Sequence, residues 1–101
     1  MEKIYILGDA HTVTSLRLAG VEGRIADKET VDIHLSELLD RGDAGVIVIT
    51  RELAEEIPEK IYNINLNLVI PVIVEIPSID DPRGFRTSIL DYVTEALGIS
   101  I

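Results

Sequence analysis

Apolar residues along this chain follow two patterns, continuous runs and stripes with helical spacing. The continuous runs cover residues 3–7, 24–26, 44–49 and 69–76, and the second of them is weak. The third and fourth runs are rich in β-branched residues and do not alternate with polar ones. Strands that are buried on both faces of a parallel sheet have this composition. The four runs therefore predict four parallel strands.

The segments between and after these runs carry apolar residues three and four positions apart, as an amphipathic helix does. Helices are predicted over residues 12–19, 30–41 and 85–97. Another stripe consists of Leu53, Ile57 and Ile61, and Pro58 lies inside it. Because proline lacks the N–H that a helix interior needs, we expect the helix to kink or restart at Pro58.

Strand and helix alternate four times, which favours a small doubly wound α/β domain of the Rossmann or receiver-like type. Right-handed crossovers and short loops predict the strand order 2-1-3-4, with strands one and three in the centre. The 101 residues are expected to form a single domain. Residues 1–79 would be the sheet body. Residues 80–101 would be a loop, a last helix and a tail that contact a partner.

Composition excludes several functions. Eighteen acidic and nine basic residues give a net charge of -9, which repels nucleic acid and anionic lipid. The chain has no cysteine, which rules out disulfides and thiolate chemistry and fits a reducing, cytoplasmic compartment. No apolar run approaches the ~20 residues that span a bilayer, so we expect no direct membrane insertion.

Asp9 ends the first apolar run, and a hydroxyl-rich helix follows it. Backbone N–H groups with Thr12, Thr14 and Ser15 could hold a phosphate. Alternatively, Asp9 or Thr12 could cap the helix. The turn has neither GxGxxG nor GxxxxGK[ST], it has no lysine, and Asp9 already sits at the positive end of the helix dipole. Capping by Asp9 and Thr12 is therefore favoured, and a phosphate- or nucleotide-responsive regulatory domain that uses residues 9–15 is the alternative.

Two histidines are candidates for acid–base chemistry. His11 lies with Asp9 at the carboxyl end of the first strand, as in a small hydrolase. No nucleophile is predicted beside it except common hydroxyls. His34 lies on the polar side of the second helix near Glu37, and two unrelated histidines make no metal motif. We therefore favour surface histidines and predict no catalytic, cofactor-binding or metal-binding residue.

A receiver-type phospho-acceptor site would need an aspartate that ends the third strand and a lysine near the last strand. Here the third strand ends in Ile49, Thr50 and Arg51, and no lysine follows Lys60. We therefore discard this site.

The end of the fourth strand and the residues after it suit partner docking better than chemistry. Pro77 and Pro82 stiffen the loop at the carboxyl edge of the sheet. Two isoleucines follow Gly98, and they either fold back on the core or meet another chain. The predicted partner contacts are Ile76, Pro77, Ser78, Phe85, Arg86, Ile89, Tyr92, Ile99 and Ile101.

Taken in order, several stretches resemble the F subunit of the V-type and archaeal A-type rotary ATPases. They are Gly8-Asp9 with Thr12-Val13-Thr14 and Leu18-Ala19-Gly20, then Asp43 to Ile49, and then Pro71 through Glu75-Ile76-Pro77-Ser78. The length and the final short helix also fit, so the resemblance covers nearly the whole chain. Ala10-His11 and Ser15-Leu16-Arg17 depart from the family pattern.

The resemblance implies a role without a catalytic site or cofactor. The F subunit belongs to the central stalk, where it binds the coiled-coil D subunit inside the ring of catalytic A and B subunits. The stalk couples ATP hydrolysis or synthesis to proton or sodium transport. The complex is membrane-bound, so this chain would be peripheral to the membrane. The family's C-terminal segment is linked to regulation of hydrolysis, which makes residues 85–101 the segment of interest.

Overall fold

The computed structural model describes residues 2–78. The predicted helix over residues 85–97 lies outside this part of the chain. Strands and helices alternate in the described part, as the apolar pattern predicts. They are β1 (Lys3–Gly8), α1 (Ala10–Leu18), β2 (Glu22–Ile25), α2 (Val31–Arg41), β3 (Ala44–Thr50), α3 (Arg51–Ala54), α4 (Pro58–Asn67) and β4 (Val72–Ile76).

The four strands form one parallel sheet in the order β2-β1-β3-β4. This confirms the predicted α/β fold and strand order. β1 and β3 are central, and β2 and β4 are the edges. The carboxyl ends of all four strands therefore meet at one end of the sheet, where α1, α2 and α3 begin.

The two faces of the sheet are packed differently. On one face, which we call the α2 face, α2, α3 and α4 cover a large core that includes Leu7, Leu35, Ile47 and Ile49. The other face, the α1 face, has a smaller core in which Val13 of α1 packs with Ile6 and Ile76. Among residues 2–78 the apolar core is aliphatic apart from Tyr5, in keeping with the low aromatic content.

Several element boundaries differ from the sequence-based expectation. α1 begins at Ala10 and not at residue 12, because Asp9 caps it. β2 covers Glu22–Ile25 and not residues 24–26, because a polar edge strand is recognised by pairing with β1 and not by its composition. β4 begins at Val72 and not at residue 69, because pairing with β3 starts only at Val46.

Two predicted helix boundaries are confirmed. The stripe of Leu53, Ile57 and Ile61 is split between α3 and α4. Pro58 occupies the first turn of α4, where its missing N–H is not needed. Gly42 ends α2 in the left-handed conformation with φ 74°, a geometry that glycine adopts without strain.

Candidate functional site

The turn between β1 and α1 lies at the carboxyl end of the sheet and is closed by Asp9. One carboxylate oxygen, Oδ2, accepts a hydrogen bond from the backbone N–H of Thr12 at 3.1 Å. The other, Oδ1, accepts from the Thr12 hydroxyl at 2.8 Å and from the Ser78 hydroxyl at 3.1 Å. Asp9 is therefore the N-cap of α1, as predicted.

The prediction that Thr12 is itself a cap is wrong. Thr12 lies inside α1, three residues after Asp9, and its side chain is fully buried. Its hydroxyl donates to the Asp9 carboxylate, and so it holds that carboxylate in the capping position.

The electrostatics of this turn oppose a second anion. Burial raises the pKa of the Asp9 carboxyl, but the hydrogen bonds from Thr12 and Ser78 outweigh it, and the pKa lies below its usual value. Asp9 is thus ionised at neutral pH and occupies the positive end of the α1 dipole. A phosphate at this turn would meet a negative charge in the position that it needs.

The two histidines lie on opposite sides of the sheet. His11 is exposed on α1, and His34 is half-buried on α2. Glu37, the expected neighbour of His34, pairs with Arg24 at 3.2 Å instead. Among residues 2–78, no three His, Cys, Asp or Glu side chains are grouped so that they could hold a metal ion.

The predicted partner contacts that fall within the described residues are buried. Ile76, Pro77 and Ser78 have almost no exposed surface, and Ser78 bonds to Asp9. Their contact with a partner stays a prediction that would require these side chains to become accessible. The other six, Phe85, Arg86, Ile89, Tyr92, Ile99 and Ile101, lie outside the described residues.

Sequence analysis missed a polar cluster at the amino end of the sheet. The hydroxyl of Tyr5 donates to both carboxylate oxygens of Asp43 at 2.8 Å. Arg41 lies 5.6 Å from the Tyr5 ring centroid, and its Nε lies 3.7 Å from Asp43 Oδ1. The hydrogen bond from Tyr5 is the largest cause that lowers the pKa of Asp43. These bonds link the start of β1 to the loop before β3.

A second missed contact closes the outer edge of β4. The carboxamide of Asn65, near the end of α4, accepts from the Ile73 N–H at 2.8 Å and donates to the Ile73 carbonyl at 3.1 Å. It thereby takes the place of a neighbouring strand at one residue. Glu75, two residues further, is exposed and faces a shallow hollow of ≈ 330 Å³ that Pro58 and Tyr62 also line.

Comparison with known proteins assigns the chain to a family, which the geometry of the site does not do. The family described as ATP synthase (F/14-kDa) subunit matches residues 4–93. The chain belongs to the ATP synthase F-subunit family. The F subunit of the A-type ATP synthase of Thermococcus kodakarensis is 36% identical over 107 residues, which cover 98% of this chain and 97% of that protein.

Two further relatives in the F-subunit family agree over similar lengths. The F subunit of the A-type ATP synthase of Pyrococcus abyssi is 35% identical, with 98% of this chain and 97% of that protein covered. The corresponding protein of Methanocaldococcus jannaschii is 30% identical, with 98% of each chain covered. This chain is therefore a subunit of an ATP synthase complex and has partner subunits. None of the helices within residues 2–78 has the length and apolar character that a bilayer crossing requires.

Proposed function

We propose that this chain is a non-catalytic central-stalk subunit of an A-type ATP synthase. It binds the coiled-coil D subunit within the ring of catalytic A and B subunits and helps couple ATP hydrolysis or synthesis to proton or sodium transport. One observation carries this proposal, the similarity to the F subunits of A-type ATP synthases over 98% of the chain.

The arrangement of polar groups supports a role in binding and not in catalysis. The ionised Asp9 fills the helix terminus that a nucleotide phosphate would use. The Asp9 carboxylate, which the hydrolase alternative pairs with His11, is engaged by hydrogen bonds from Thr12 and Ser78. These features argue against both alternatives, the nucleotide-responsive domain at residues 9–15 and the small hydrolase.

The body of the subunit suits transmission of torque, because the turn between β1 and α1 is tied to the segment that follows β4. Asp9 joins α1 to Ser78, which lies two residues past β4. Asn65 likewise ties α4 to β4. These two ties between helices and the sheet resist shear between the layers of the domain. We place the subunit on the cytoplasmic side, held near the membrane by its partner subunits.

The first test is association with the coiled-coil stalk protein of the same organism. The two purified proteins are mixed and separated by size exclusion with light scattering. We expect a stable one-to-one complex, and an unrelated coiled-coil protein of similar length and charge serves as the control. Two separate peaks, with both chains folded by circular dichroism, would overturn the central-stalk proposal.

A second test addresses regulation by the C-terminal segment, residues 80–101. The full chain carrying Ile99→Asp and Ile101→Asp is assembled with the coiled-coil stalk protein and the catalytic head. We expect ATP hydrolysis to change relative to the wild-type assembly while the amount of bound subunit stays equal. An unchanged rate at equal occupancy would argue against a regulatory tail.

A further inference from the structure

β4 is an edge of the sheet and has the composition of a strand that pairs readily. It bonds to β3 on one side, and no strand within residues 2–78 lies on its other side. Its residues are β-branched except for Glu75. The outer side of such a strand offers backbone N–H and C=O groups to any strand that approaches, and a second copy of the chain supplies an identical one. Unless these groups are occupied, two copies could join their sheets along β4.

The backbone groups on the outer side of β4 belong to alternate residues. In a strand, the N–H and C=O of one residue point to one side, and those of the next residue point to the other. Ile73 points outward, because both of its groups bond to Asn65 of α4, which lies outside the sheet. The same alternation puts positions 71, 75 and 77 on the outer side. A strand that paired with β4 would therefore have to bond to residues 71, 73, 75 and 77.

Each of these four positions opposes such pairing. Pro71 and Pro77 flank the strand and have no N–H to donate. At Ile73, the Asn65 carboxamide accepts from the N–H at 2.8 Å and donates to the C=O at 3.1 Å, which are the two bonds that a neighbouring strand would make. Glu75 has no outer partner for its N–H within residues 2–78, but a second β4 would bring another carboxylate close to its own.

Asn65 is held beside β4 by the packing of its helix. Ile61, one turn earlier on α4, belongs to the core of the α2 face. Lys60 of α4 bonds to the side chains of Asp32 and Ser36 on α2. The helix is therefore fixed on two sides, and the Asn65 carboxamide reaches Ile73 from a defined position.

The opposite edge of the sheet has a similar contact. β2 has only four residues, and Arg17 of α1 donates from Nη2 to the Gly23 carbonyl at 3.0 Å. This carbonyl points away from β1, because Ala26, three residues further, directs its N–H inward to the Gly8 carbonyl. A helix side chain thus occupies a backbone group at each edge. The repetition favours a common purpose, which is to close the sheet to further strands.

We propose that the contact of Asn65 with Ile73 is autoinhibitory, in that it keeps β4 from pairing with β4 of a second copy. The Ile73 backbone groups form either these intramolecular bonds or a ladder between two chains, and the carboxamide commits them to the first. A free chain thereby stays available as a single copy for other partners. The inference concerns the isolated chain, so it goes beyond the proposed stalk function and stands without it.

The test measures self-association of the full-length chain by sedimentation over a range of concentrations. Asn65→Ala opens the Ile73 backbone, and Asn65→Ala combined with Glu75→Thr also removes the charge at the edge. We expect the dimer Kd of the double variant to fall at least about tenfold below that of wild type, with a smaller fall for Asn65→Ala. Because Asn65 and Glu75 are exposed, the variants are expected to fold, which circular dichroism checks. Asn65→Ser, too short to reach Ile73, replaces Asn65→Ala if that variant unfolds.

Two controls separate an open edge from a general loss of stability. Asn67→Ala changes an exposed position in the same helix and should leave self-association unchanged. Ile47→Val lowers stability from the buried centre of β3 without touching the edge, and it should also stay monomeric. Association of Ile47→Val as strong as that of the double variant would mean that lost stability drives it, and would overturn the proposal.

Amide hydrogen exchange locates the contact between the two copies. In the double variant, exchange at positions 73 and 75 should slow as the concentration rises. A folded double variant that remains as monomeric as wild type at every concentration would overturn the proposal. So would a dimer in which the slowed amides lie outside β4.

Discussion

The Asp9 carboxylate accepts a hydrogen bond from the Ser78 hydroxyl at 3.1 Å, although 69 residues separate the two in sequence. The same oxygen also accepts from Thr12. One side chain therefore caps α1 and holds the segment that follows β4. Since these contacts lie at the carboxyl end of the sheet, they close the place where related folds bind small ligands.

Replacing Asp9 by alanine should destabilise the protein. The change removes a helix cap, which costs about 0.5–2 kcal/mol in the free energy of unfolding, and it removes the acceptor for the buried Thr12 hydroxyl. Chemical denaturation of wild type, Asp9→Ala and Ser78→Ala measures this, and we expect Ser78→Ala to have the smaller effect because the cap is kept. Equal stability of wild type and Asp9→Ala would contradict the structural role given to the carboxylate.

The contribution of Asp9 should also depend on pH. Its pKa in the folded state lies below the usual value, so folding favours the ionised form. This stabilisation is complete above the pKa of an unfolded aspartate, about 3.9, and is lost as the pH falls through the lower folded pKa. Asp27 and Asp43, whose pKa values are also lowered, contribute similarly. The free energy of unfolding is therefore measured against pH for wild type and for Asp9→Asn. The difference in stability between the two proteins should shrink below pH about 4.

Tyr5→Phe should raise the pKa of Asp43. The tyrosine hydroxyl donates to both oxygens of that carboxylate and is the largest cause of its lowered pKa. Arg41 remains nearby, so the pKa should move toward its usual value without passing it. An NMR titration that follows the side-chain carboxyl carbon of Asp43 measures this pKa. Tyr62→Phe, at an exposed position, is the control. An unchanged titration curve would mean that the hydrogen bond does not persist in solution.

Asn65→Ala should loosen the contact between α4 and β4. The substitution removes both hydrogen bonds to Ile73, for an expected loss of about 1–3 kcal/mol in unfolding free energy. Hydrogen exchange of the Ile73 amide should accelerate more than that of its neighbours. Asn67→Ala, at an exposed position in the same helix, is the control. Asn65→Asp keeps the acceptor and should protect the Ile73 amide better than alanine does.

Gly23→Ala should disturb the packing of α1 on the sheet. A Cβ at this position would lie 2.3 Å from Ile6 Cγ2 and 2.7 Å from the Ile6 carbonyl oxygen, so β2 or β1 must shift. Forcing an extra carbon into a packed site costs about 1–3 kcal/mol. Thermal unfolding should show this loss, while Glu22→Ala next to it should change stability by less than about 0.5 kcal/mol. A Gly23→Ala protein as stable as wild type would mean that the α1 layer yields to the extra carbon without strain.

Local pattern was sufficient for the order of strands and helices and for the sheet topology. Runs such as residues 44–49 are apolar on both faces, and only a parallel sheet with two covering layers buries them. The handedness of crossovers then restricts the strand order. Proline and glycine act through their own backbone, so the restart at Pro58 and the end of α2 at Gly42 were predictable as well.

Contacts between distant residues depended on the folded chain. Nothing near Tyr5 in sequence indicates Asp43, and nothing near Asp9 indicates Ser78, because each pair meets only after strands of the sheet are aligned. The start of β4 was misplaced for the same reason. Leu68, Val69 and Ile70 are as apolar as the strand that follows, but strand pairing with β3 sets the boundary. An aliphatic side chain can be buried, but whether it is buried depends on the residues that surround it in the folded chain.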